Sequence, residues 1–166
     1  MYDYADKVVI YLISQIIDRL NRLHIDDYTA QALVFEKVKS VFKEIDELVK
    51  LWFVIMACQA YDVAGGLEST ISEQWLIDKV LGAYDPITGY VYTNELERKA
   101  DRFAESLIAT GGSAEAKDTV VKQLTAMIRQ YSITVVDAAT LVAYIEQGVE
   151  EVVWNAIIDR STCNVC

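Results

Sequence analysis

The chain has 166 residues, 53% of them hydrophobic and 24% charged, with a formal net charge of −10. Such a composition argues against disorder, and the acidic balance argues against a surface that coats nucleic-acid phosphates. The length suits one domain, or one domain with an appended piece.

Pro86 is the single proline and there are only seven glycines, so the chain has few breakers and long helices are expected. The first apolar stretch, VVIYLISQII, follows one lysine together with Asp3 and Asp6 and lacks a small-residue cleavage site, unlike a secretory leader. The most apolar run, LWFVIMACQA at 51–60, is shorter than the roughly 20 residues that span a bilayer. A soluble, intracellular protein without membrane contact is expected.

Residues 4–23 carry Val9, Leu12, Ile13, Ile16, Leu20 and Leu23 on one stripe at helical spacing. His24 follows at the helix end, and Asp27 is a candidate cap for the next helix. Residues 28–64 then run without glycine or proline. Val34, Val38, Val41, Phe42, Ile45, Leu48, Val49, Trp52, Ile55 and Met56 recur at three- and four-residue steps, which predicts one helix about 55 Å long. Its second half is apolar nearly all round and is expected to be buried on several sides, until AGG at 64–66 stops it.

A short helix is expected within STISEQWLIDKVLGAY, with Thr70 and Glu73 as a capping box. YDPITGYVYTNE reads as an aromatic loop or small hairpin in which Tyr84, Tyr90 and Tyr92 gather around Pro86, with YVY extended. Asn94 with Glu97 caps a helix that stops at Gly111-Gly112. Ser113 caps the last long one, whose stripe runs from Val120 to Ile145. SITVVD at 132–137 is rich in β-branched residues and marks a candidate break, with Asp137 as a second cap.

After Gly148 the period changes to two, and Val152, Trp154, Ala156 and Ile158 alternate as in a strand. A lone strand leaves its backbone groups unpaired. YVY is the only other extended candidate, so the segment is expected to pair with another molecule or with more of the same chain.

Several segments resemble one family. YDPITGYVYTNELERKADRFAESLIA, QYSITVVDAATLVAYIEQGVEEVVW and DRSTCNVC are similar to the phage head morphogenesis proteins, the Mu-type minor head or minor capsid proteins. In that family a long helix ends at a glycine, followed by a strand with a tryptophan, an aspartate, a turn and Cys-x-x-Cys. Gly148, Val149, Trp154, Asp159, Thr162, Cys163 and Cys166 occupy the matching positions. The resemblance covers residues 84–166, and the first helices match in style only. The family domain continues past the second cysteine, so the resemblance implies a chain cut inside its C-terminal module. It implies a low-copy protein of the phage head, in the virion and in the host cytoplasm during assembly. The expected partners are portal or capsid proteins, in head assembly, DNA packaging or DNA delivery.

Cys163 and Cys166 supply two of the four ligands of a structural zinc site, while His24 and Cys58 are isolated in the sequence. Zinc is expected only if residues beyond Cys166 supply ligands; a disulfide or free thiols is the plainer reading. A redox pair needs a βαβ setting that is lacking here. The acidic runs are explained as caps and solvated faces, and no phosphate-cradling loop is found. The tyrosine loop and Trp52 are candidate partner anchors, although such rings more often close a helix pair. Trp52, Phe53 and Met56 are expected in the core, with a docking surface for another subunit as the alternative.

The fold class expected is mainly α, a long antiparallel helical hairpin or bundle with a short aromatic loop. Residues 1–148 form the helical domain, with 28–64 packed against 113–147. Residues 149–166 begin an incomplete α+β module with one strand. The function expected is structural rather than enzymatic. The alternatives are a helical carrier for an enzyme or toxin-like domain beyond Cys166, and a stand-alone helical homo-oligomer.

Overall fold

The computed structural model describes residues 2–25, 31–67, 71–81 and 92–150. Five helices account for nearly all of them. Helix α1 spans Tyr2–Asn21 and α2 spans Gln31–Val63. The short α3, Glu73–Leu76, widens into a π turn over Ile77–Leu81. Helices α4, Tyr92–Ala109, and α5, Ala114–Glu146, complete the fold. The mainly α bundle is the one expected, and no strand occurs among the described residues.

Helices α2 and α5 have 33 residues each, about 50 Å of helix. They pack along each other and form the centre of the bundle. Their C-terminal ends meet: the Gln147 Nε2 donates to the Ala64 carbonyl at 2.8 Å, and the Tyr61 hydroxyl donates to Glu146. The two central helices therefore run in the same direction. Pairing of these two segments was expected, but as an antiparallel hairpin; a connection long enough to hold α3 and α4 lets the chain return to the starting end before α5 begins. The antiparallel neighbours are others. Tyr11 lies against Trp52 and Arg19 against Glu44, so α1 runs against α2. Lys117 Nζ reaches the Leu23 carbonyl at 3.1 Å, tying the start of α5 to the end of α1. The turn at Thr110–Ser113 folds α4 back against α5, with Gly111 and Gly112 at φ +58° and +69°.

One continuous core fills the interior, with Leu12, Ile16, Phe42, Ile45, Phe53, Met56, Leu76, Leu124, Ile128, Val135 and Ala139 among its buried members. Phe42 meets Phe103 of α4 with ring centroids 5.4 Å apart, and Lys39 pairs with Asp101 at 3.0 Å beside them. Leu76 and Val80, one turn apart, anchor the α3–π segment in the same core.

Local expectations fared unevenly. Ser113 caps α5 by accepting from the Ala116 amide at 3.2 Å, as expected. Gly65 ends α2 at φ +84°, and Gly148 closes α5 at φ +75°. The cap of α3, in contrast, is Ser72, whose hydroxyl accepts from the Trp75 amide, and Thr70 lies outside the described residues. Helix α4 begins at Tyr92, so Asn94 stands within the helix and Tyr92 is not extended. No break occurs at 132–137, because α5 passes straight through it. Ser132 and Thr134 turn their hydroxyls onto the Arg129 and Gln130 carbonyls, and Val135 and Val136 are buried. Burying a valine is worth about 1.5–3 kcal/mol, against a helix-propensity cost below about 0.7 kcal/mol per residue. The strand expected after Gly148, the Asp27 cap and most of the aromatic loop fall outside the described residues.

Candidate docking face

Two charge-free stretches come side by side. In α1 no charged residue occurs between Lys7 and Asp18, and in α2 none occurs between Lys50 and Asp62. The antiparallel pairing of α1 and α2 brings Tyr11 of the first beside Trp52 of the second, so that the runs overlap where α1 residues near 8–12 face α2 residues near 51–55. At their seam Tyr11 and Trp52 stack at 5.0 Å between centroids with planes tilted by 57°. Trp52 is half-buried, with its neighbours Phe53 and Met56 wholly inside the core. On the solvent side Leu51 is 57% exposed and Ile55 37% exposed, with half-buried Leu48 one turn before them. Residues 48, 51, 52 and 55 share one helical face. The all-round apolar segment is thus not enclosed on every side: its Phe53–Ala57–Ala60 face is core, and its Leu51–Ile55 face is open.

Ion pairs border the seam. Lys7 holds Asp3 at 2.7 Å at one end; Arg22 holds Asp18 at 2.6 Å at the other. The Lys7 ammonium, by its hydrogen bond and its charge, keeps the Asp3 carboxyl below its ordinary value. Past Leu48 the seam opens into a cleft of about 320 Å³ lined by Gln15, Asp18, Arg19, Arg22, Lys37 and Glu44. Arg19 donates to the Gln15 carbonyl and amide oxygen and stands 3.9 Å from Glu44; its Nε is buried without a hydrogen-bond partner. Cations and carboxylates alternate there, so the cleft presents no single sign of charge to a ligand.

Of the residues singled out from sequence, Trp52 lies in this face and Gly148 ends α5. Tyr92 starts α4, whereas Tyr84, Tyr90, Trp154, Asp159, Thr162, Cys163 and Cys166 lie outside the described residues. His24 is exposed just past α1, and the half-buried Cys58 sulfur faces the Ile71 carbonyl at 4.0 Å. Among the described residues no group of three or more His, Cys, Asp or Glu is placed to hold a metal ion, and no helix is long and apolar enough to cross a membrane. Tyr11 and Leu51 were not singled out from sequence, whereas Ile55 stood in the expected helical stripe and proves exposed. The signal was there, as two charge-free runs of similar length, but only the α1–α2 pairing makes them neighbours.

Comparison of the chain with family models, curated proteins and solved structures found no match.

Proposed function

We propose that this protein is a non-enzymatic structural component of a phage or prophage head, of the minor head type. It acts by holding other proteins, the portal or capsid, through the Tyr11–Trp52 face. The single observation that carries the docking role is the exposure of Leu51 and Ile55 beside the stacked pair, in a stretch free of charge. Aromatic anchors set in an apolar surface with a polar rim are the usual centre of a protein interface. A rigid helical bundle also suits a part that must present one fixed surface. The head-protein assignment draws on the sequence resemblance at Gly148, Trp154, Asp159, Thr162, Cys163 and Cys166.

The test is co-expression with the portal protein encoded in the same genome, followed by co-purification. Association is expected with the native chain and is expected to fall with Leu51→Glu and with Trp52→Ala. A portal that co-purifies equally with all three chains would remove the docking face. A genome with no portal or scaffold gene near this one would remove the head-protein assignment.

A further inference from the structure

We draw no further inference here: the strongest candidate, the exposed apolar row of Leu141 and Ile145 on the last two turns of α5, is an unpartnered helix face, and nothing in the structure shows what covers it.

Discussion

The Tyr61 hydroxyl donates a hydrogen bond to the Glu146 carboxylate, joining residues 85 apart in the chain. The ring of Tyr61 is wholly buried, and Glu146 is exposed. The bond therefore fastens the core at the end of α2 to the last turn of α5. Tyr61→Phe keeps the ring and loses the bond; with Glu146 free to return to water, the expected cost is about 1 kcal/mol. Tyr61→Ala also empties the ring site and is expected to cost about 3–5 kcal/mol. Urea unfolding at constant m-value measures both. A Phe variant as stable as the native chain would show that the bond contributes nothing in water.

Gly66 owes its identity to the same ring. A Cβ at residue 66 would fall 2.2 Å from Tyr61 Cε1, so Gly66→Ala forces the loop or the ring to move, at about 1–3 kcal/mol. Gly111 is the contrasting case: a Cβ there meets nothing within 4 Å, but its φ of +58° disfavours a side chain. Gly111→Ala should cost about 1 kcal/mol from backbone conformation alone. In the Tyr61→Ala background the cost of Gly66→Ala should shrink and that of Gly111→Ala should not. Equal costs in both backgrounds would mean the clash is relieved elsewhere.

The unbroken course of α5 predicts that the amides of Ser132 to Asp137 exchange as slowly as those of the turns on either side. The buried Val135 and Val136 secure this stretch. Val135→Pro should cost at least about 3 kcal/mol. A band of fast exchange at 132–137 in hydrogen–deuterium exchange would instead favour two helices meeting there.

Much of the bundle was legible because helical stripes report burial directly. Leu12, Ile16, Phe42, Ile45, Leu124 and Ile128 stand at three- and four-residue steps, and each is buried. Ser113 and the glycines at 65, 111, 112 and 148 act locally, so their capping and stopping roles were readable too. Direction was not legible. A stripe says which face is buried and nothing about which way the partner runs, so α2 and α5 were rightly paired but were expected antiparallel, whereas they run in the same direction. The break expected at SITVVD weighed local preference without the burial that outweighs it. The docking face was half-legible: Trp52 was expected in the core with a docking role as the alternative, and Tyr11, 41 positions away, joins it only through tertiary pairing.

Asp3 offers a pH-dependent signal. Its carboxyl is held below its ordinary value, first by the hydrogen bond from Lys7 and then by the Lys7 charge. A group with a depressed folded-state pKa contributes stability above its unfolded value, near about 3.9, and loses it as pH falls through the folded value. The pair is fully solvent-exposed, so the effect belongs to the titration curve rather than to the melting temperature. Carboxyl NMR should give Asp3 a midpoint below the ordinary aspartate value, and Lys7→Met should raise it. An Asp3 midpoint unmoved by Lys7→Met would mean the ion pair is not populated in solution.

Leu51 and Phe53 are two positions apart on α2 and should respond in opposite ways. Phe53 is wholly buried, so Phe53→Ala removes core volume and should cost about 3–5 kcal/mol. Leu51 spends most of its surface in water, so Leu51→Glu should shift stability by no more than about 0.5 kcal/mol. Helix propensity barely changes between Leu and Glu, which leaves burial as the deciding term. Were Leu51 covered by another part of the same chain, the glutamate would be forced into an apolar site and the cost would approach that of a buried charge. Chemical denaturation of the two variants thus separates a core position from an open docking surface without knowledge of the partner. A loss above about 2 kcal/mol for Leu51→Glu would place that side chain inside the fold and remove the candidate face.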